Sequence, residues 1–428
     1  MFFSSAELER MFGRGKFKQL MVRVPLFEQS NRWHKDEGAT KTYWLTPEAI
    51  AVLAIYHSTP VKHAVDLLQL KGDRMQVVRS PLAAISSTST TGSAISTLDW
   101  GFSQNTLNKV AVNVESLQRL IDELRRLEVS TTIDSTLKPI AARYADTAVK
   151  VLRMSHTTLI EMGHMPHRYV IAPSGRLYGT GLSLQNVPSM VKMAALRGMW
   201  DYDFANCHFA IFAQMANRFG VACPNIERYL ENKHAIRREI AEGAGIDIRQ
   251  AKACLIALIY GAREISWRKG AIPSAIGTEA ARILYELPQF KAISDEIQGA
   301  REVILREWPR TASGGLSNAC GKAIAGTASD AKKLAHLLQG VEAEALRIVV
   351  RRHPDDVVLL QHDGFVSRRQ LDCKTLEKAV MDQLGYRLKL EETQLAIHYD
   401  SDNVEHIKED EIGLEVAPEL DLDGYVVD

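Results

Sequence analysis

Cysteine is scarce in this 428-residue chain, and its five copies are not arranged to cooperate. Cys207, Cys223, Cys254, Cys320 and Cys373 lie far apart with no C-x-x-C pair. That excludes a zinc knuckle or a disulfide framework and fits a reducing, cytoplasmic setting. Long apolar runs are also missing. No stretch approaches the roughly 18 residues of a membrane helix, and the N-terminal MFFSSAELERMFGRGKFKQL mixes acids and bases through its apolar pattern, so neither insertion nor export is expected. There is no internal repeat. Net charge is absent too, with 52 basic residues against 52 acidic ones. This balance argues against a polyanionic partner until the charges are located. From Asp402 to Asp428 there are ten acidic residues and one lysine, which leaves 51 basic and 42 acidic residues elsewhere, a net +9. The chain is a basic body with an acidic tail over 401–428.

The remaining composition, 46% hydrophobic and 24% charged, supplies enough apolar surface for two or three packed subdomains. Residues 1–105 form a small N-terminal domain of unassigned role. Thr46-Pro47-Glu48 marks a helix start there, and the Ser/Thr-rich stretch from Ser86 to Thr97 reads as a boundary loop. In VESLQRLIDELRRLEV, Val114, Leu117, Leu120, Ile121 and Leu124 recur at helical spacing, and further helix is expected to about Met162. This makes 106–165 a helical region. Over 166–400, strand-like HRYVI, DVVLLQ and LAIHY alternate with long helical patterns, which indicates an α+β region.

Four segments carry chemistry. In APSGRLYGTGLSLQNVP (172–188), Arg176 follows a Ser-Gly turn and offers a planar fork suited to phosphate. MWDYDFANCHFAIFAQMA reads as strand, carboxylate, helix; Asp203 is a candidate hard-oxygen ligand for magnesium, with Asp201 as its rival. In GIDIRQAKACLIALIYG, Asp247 and Gln250 form a capping box. Arg249, Lys252, Ile256 and Tyr260 then share one helix face, able to grip a triphosphate at one end and a base pair at the other. Finally, DDVVLLQHDGFVS (355–367) is a hairpin with Asp363 at its tip. Two aspartates from strands far apart in sequence are what two-metal phosphoryl transfer needs.

In this order the segments resemble the polymerase domain of the DNA polymerase I family (family A) and its relatives, the phage-type single-subunit RNA polymerases. SGRLYGTGLSLQNVP is similar to the family's GR…LQNIP motif, DFANCHFAIFAQMA to motif A, RQAKACLIALIYG to motif B, LLQGVEAEAL to the QG segment and LLQHDGFVS to motif C. The resemblance spans about residues 110 to 400. It implies a right-hand fold: palm and fingers over 166–400, a thumb over 106–165. It also implies that Asp203 and Asp363, with Phe204, hold two Mg2+ ions, or Mn2+ in their place. Lys252 would contact the incoming triphosphate, and Tyr260 and Gly261 would lie by the nascent base pair. Arg176, Gln185, Asn186, Gln339 and His362 would meet the primer-template. The implied partners are a DNA template and dNTPs or NTPs, with no membrane and with accessory proteins unassigned.

Departures from the family pattern bear on the activity. The motif B arginine stands four residues before the lysine in the family, where this chain has Ile248; Arg249 is three before Lys252. The DNA enzymes place an aromatic residue four after that lysine and a glutamate five after the motif A aspartate; here these are Ile256 and His208. Both positions affect sugar selection. Tyr178 and Phe365 lean toward the RNA enzymes, whereas LQNVP, LIYG and LLQG lean toward the DNA enzymes. No carboxylate cluster of a proofreading exonuclease is recognisable in residues 1–105. The expectation is a compact family A DNA polymerase, with or without primase activity, of the kind used by phages and small mobile elements. The alternatives are a single-subunit RNA polymerase or primase and an inactive fold that only binds nucleic acid.

Overall fold

The computed structural model describes residues 100–102, 109–130, 135–156, 163–167, 169–179, 182–265, 268 and 270–397, together with five short strands nearer the N-terminus. Of these, β1 (Phe2–Ser4), β2 (Phe27–Gln29) and β3 (Thr42–Leu45) pair in the order β1-β3-β2, while β4 (Leu67–Lys71) and β5 (Arg74–Val78) pair with each other. The helix start expected at Thr46, the loop over 86–97 and the acidic tail lie outside the described residues.

After β6 (Lys109–Ala111), the helix α1 (Val114–Val129) begins where Asn113 accepts a hydrogen bond from the Ser116 amide at 2.9 Å. Arg126 occupies its last turn, where the helix dipole favours a cation. The stripe Leu117, Leu120, Ile121 and Leu124 is buried, as its spacing dictates. It packs on α2 (Leu137–His156), which contributes Ala141, Tyr144, Ala145, Ala148 and Val151. Arg125 ties the pair together through Asp146 at 2.6 Å. Next, β7 (His164–Pro166) returns to β6, and β8 (Tyr169–Ile171) forms a hairpin with β9 (Leu177–Gly179).

A short helix, α3 (Ser189–Ala195), leads into β10 (Trp200–Phe204). Among the described residues seven helices follow: α4 (Cys207–Arg218), α5 (Pro224–Glu231), α6 (Lys233–Ala244), α7 (Ile248–Ile259), α8 (Ala271–Ile276), α9 (Thr278–Glu286) and α10 (Pro288–Glu307). The capping box expected at the start of α7 is present, with Asp247 accepting from the Arg249 and Gln250 amides. A ribbon of β11 (Leu316–Ser317) and β12 (Ala323–Ile324) precedes α11 (Asp330–Arg352). The chain then runs through β13 (Val357–Leu360), β14 (Gly364–Ser367), α12 (Cys373–Leu384) and β15 (Leu390–Gln394).

The central sheet has the order β13-β14-β10-β15, every pair antiparallel. Because side chains alternate across a strand, it separates two cores. Tyr202, Phe204 and Phe365 enter the one shared with α4, α7, α10 and α11, where the Tyr202 and Phe365 rings stack at 4.8 Å. Val358, Leu359 and Val366 enter the other, shared with α1, α2 and α3. Asp201 stands opposite Val366 and Asp203 opposite Gly364, so both aspartates leave the face away from Tyr202. The architecture is therefore mixed helix and sheet, as expected. One strand differs in place. LAIHY (395–399) was expected to be extended; its last two residues lie outside the described ones, and the regular strand among the described residues is the preceding LEETQ, β15, which pairs with β10. Leu395 and Ile397 still point inward, and residues 395–397 are held through bonds between Leu395 and the turn at Gly198 and Met199 rather than by a strand. No helix among the described residues is long and apolar enough to cross a membrane.

Candidate active site

Asp203 is brought to Asp363 by backbone pairing. The Phe204 amide donates to the Asp363 carbonyl at 2.9 Å, and Gly364 crosses directly opposite Asp203. Only glycine fits that crossing: a Cβ would overlap the Tyr202 carbonyl oxygen and stand 3.3 Å from the Asp203 Cα. The two carboxyl groups then lie within hydrogen-bonding reach of each other. Although Asp203 opens to solvent on one side, surrounding protein raises its pKa, and the Asp363 charge raises it further; Lys252 opposes both. Asp201 is placed differently. Gln361 donates to it while accepting from Lys192, whose ammonium is 3.9 Å from the second Asp201 oxygen. Burial raises the Asp201 pKa against the pull of Lys192. Asp201 thus ties α3 to the hairpin, and Asp203 is the aspartate that meets Asp363.

Two crowded carboxylates with hard oxygens suit a divalent cation of the magnesium type. Phe204 has its ring in the core, so only its carbonyl can join them. Among the described residues no third His, Cys, Asp or Glu closes a cage. Magnesium usually takes one or two carboxylates and leaves its other positions to water and phosphate.

Between β10 and α4 the chain turns sharply at Asn206, whose φ of 46° is left-handed, a conformation asparagine tolerates better than most residues. Its side chain does not cap α4. It accepts instead from Arg237 at 2.6 Å, and Arg237 also donates to the Tyr229 hydroxyl at 2.9 Å. These contacts anchor the start of α4 to α6.

In the first turn of α4, His208 enters a buried network that motif reading did not disclose. Glu342, fully buried on α11, accepts from Arg176 Nε at 2.6 Å and from a terminal Arg176 nitrogen at 2.5 Å. His208 Nε2 is 2.8 Å from the same carboxylate, and Nδ1 is 2.6 Å from the Tyr260 hydroxyl. The His208 and Tyr260 rings meet edge-on at 5.3 Å. Burial pushes the Glu342 pKa up, but Arg176 and His208 outweigh it, so Glu342 is held below the ordinary carboxylate range. Burial likewise raises the Tyr260 hydroxyl, aided by the Glu342 charge and opposed by Arg176. The signal for Glu342 was its place in VEAEAL: a carboxylate inside an apolar helical run, three residues after Gln339, must find a partner if buried. Nothing local identified that partner.

On the α7 face, Lys252 and Ile256 are exposed, while Arg249 and Tyr260 are half-buried. Lys252 is close enough to Asp203 to act on its charge. Gly261 follows at φ 87°, and a Cβ there would come within 2.7 Å of Ala331 at the start of α11. The residues expected at the primer-template divide. His362 and Asn186 are exposed, with His362 beside the Tyr178 ring at 5.3 Å. Gln185 is engaged inside the protein: it accepts from the Gly179 amide at 2.7 Å and donates to the Leu177 and Leu360 carbonyls at 3.0 and 3.1 Å. Gln339 is buried on α11, and Arg176 is turned to Glu342.

No family model and no curated protein matches the chain. Among solved structures, the chain is similar to the polymerase domain of Pol1 from M. smegmatis in complex with DNA primer-template and dNTP. The TM-score is 0.43 at 16% identity, covering 66% of this chain and 66% of that one.

Proposed function

We propose that this chain is a template-directed nucleotidyltransferase that extends a 3′-hydroxyl, a compact DNA polymerase of the family A type. The observation that carries the reading is the meeting of Asp203 and Asp363, from strands far apart in sequence, beside Lys252 on α7. In this reading the four-stranded sheet is the palm, the helices from α4 to α10 the fingers, and α1 with α2 the thumb. Asp203 and Asp363, with the Phe204 carbonyl, would hold magnesium ions, which would supply a lowered pKa for the attacking hydroxyl and counter-charge for the leaving pyrophosphate. Lys252 neutralises charge that builds on the triphosphate during transfer, and Arg249 assists from the same helix face. Ile256, Tyr260 and Gly261 border the nascent base pair, while His362 and Asn186 are the exposed groups beside the primer-template. His208 lies where the nucleotide sugar passes and screens its 2′ position.

Primer extension on a DNA template tests this, with dNTPs and NTPs in separate tubes and a parallel reaction lacking primer. Wild-type protein should extend a primer with dNTPs. Asp203→Asn and Asp363→Asn each keep side-chain shape but remove an anionic ligand, so incorporation should vanish while template binding, read by fluorescence anisotropy, persists. Activity in Asp203→Asn together with its loss in Asp201→Asn would move the site by two residues. Extension with NTPs alone, or without primer, would indicate the RNA polymerase or primase alternative. A protein that binds template but never extends would be the inactive fold.

A further inference from the structure

We infer that Glu342 is a specificity-determining positioning residue, which pins the His208 ring in one orientation and thereby sets how strictly the site discriminates between deoxyribose and ribose. The inference rests on the polymerase reading and extends it to a residue on α11 outside the motif A and motif B pair. Its basis is geometric. His208 is gripped at both ring nitrogens, by Glu342 at 2.8 Å and by Tyr260 at 2.6 Å, with Arg176 3.2 Å from Nε2. A screening side chain is only as strict as its resistance to being pushed aside, since an unrestrained ring can turn to another rotamer at small cost. Turning His208 would break a bond to a fully buried charge and a second bond to a half-buried hydroxyl.

The chemistry of the contacts also fixes which nitrogen carries the hydrogen. An ionised carboxylate only accepts, so Nε2 at 2.8 Å must be a donor. Its companion on the same carboxylate, the Arg176 guanidinium, only donates and therefore cannot bond to a protonated Nε2; it lies alongside, bound to Glu342. In the neutral ring Nδ1 is then an acceptor, and the Tyr260 hydroxyl donates its hydrogen to it. Neither His208 nor Tyr260 has a hydrogen left to offer a 2′-hydroxyl, and the pinned ring cannot make room for one.

The conservative variant Glu342→Gln keeps shape but replaces one acceptor oxygen by a donor. The carboxylate receives hydrogens from Arg176 Nε, a terminal Arg176 nitrogen and His208 Nε2, and an amide has one oxygen to receive them. His208 therefore loses its ionic partner, and wherever the amide nitrogen faces it Nε2 must accept and the ring takes the other tautomer. Two measurements read this. Long-range proton–nitrogen correlation spectra of the ring, assigned by their loss in His208→Ala, should show the hydrogen on Nε2 in the wild type and a shift toward Nδ1 in Glu342→Gln. Single-nucleotide incorporation should show the ratio of kcat/KM for matched dNTP over NTP falling about tenfold in Glu342→Gln, through a lower KM for the NTP. In a His208→Ala background Glu342→Gln should change the ratio no further, since the pair acts as one unit. A wild-type ring with its hydrogen on Nδ1, or equal losses with both sugars in Glu342→Gln, would overturn the inference. If Glu342→Gln does not fold, the wild-type spectrum still decides the ring assignment. If the wild type incorporates neither nucleotide, the polymerase reading falls and the role in sugar choice with it, while the spectra still report whether Glu342 orients His208.

Discussion

In the proposed reading Lys252 and His208 act on opposite ends of a nucleotide, and their substitutions should separate cleanly. Lys252 is an exposed ammonium near Asp203, and in that reading it offsets phosphate charge as the pyrophosphate leaves. Lys252→Ala should raise the nucleotide KM, lower kcat and reduce kcat/KM roughly a hundredfold, as loss of one preorganised electrostatic group commonly does. Arg249→Ala should act in the same direction more weakly, and wild-type kinetics in both variants would remove α7 from the site. His208→Ala should leave phosphate chemistry in place but admit NTPs, shifting sugar discrimination by about 1–3 kcal/mol in competition assays. If the wild type instead prefers NTPs and His208→Ala weakens that preference, the ring reads the hydroxyl rather than excluding it.

At the scale of elements, the β10–β14 crossing determines where the carboxylates stand. The close approach at Gly364 has no slack, because Tyr202 beneath it is fully buried and stacked on Phe365. Gly364→Ala must therefore push the 361–363 turn outward, carrying Asp363 away from Asp203. Stability should fall by about 1–3 kcal/mol, the usual cost of overpacking. Activity should fall further, roughly a hundredfold, because a misplacement near 1 Å disrupts a reacting geometry. Urea titration and primer extension on the same variant separate the two effects, and equal activity in Gly364→Ala would show that the turn tolerates displacement. The half-buried Asn206–Arg237–Tyr229 contacts play the corresponding role for the start of α4.

In the molecule as a whole, a run of buried rings ties the end of the N-terminal region to the central sheet. Trp100 stacks on Phe102, Phe102 on Tyr169, and His167 meets Tyr169 edge-on at 4.1 Å; the Tyr169 hydroxyl accepts from the Leu360 amide at 2.7 Å. His167 Nε2 is buried with no hydrogen-bond partner, and burial pushes its pKa down to about 4. The unfolded chain binds that proton near pH 6.5, ahead of the folded one. Stability contributed by neutral His167 is therefore complete above about pH 6.5 and is lost as pH falls toward 4, by at most about 3 kcal/mol. Denaturant titrations at pH 7.5 and 5 should show a smaller drop for His167→Leu than for the wild type. Equal drops would place the pH sensitivity elsewhere.

Much of this was legible in the sequence because its causes are local. The stripe of α1, the Asp247 capping box, the strand–carboxylate–helix order at Asp203 and the hairpin ending at Asp363 all follow from periodicity and turn chemistry over a few residues. Sequence spacing also named the Arg249, Lys252, Ile256 and Tyr260 face. It could not rank Asp201 against Asp203, since both alternate to the same side of β10. Contact with Gln361 and Lys192 draws Asp201 away, and only the fold supplies that contact. Nor could it show that Gln185 is engaged by backbone groups, or that Arg176 and His208 converge on Glu342. A helix or a cap is decided by neighbours within about one turn, whereas the partner of a buried charge is decided by which distant segments pack together.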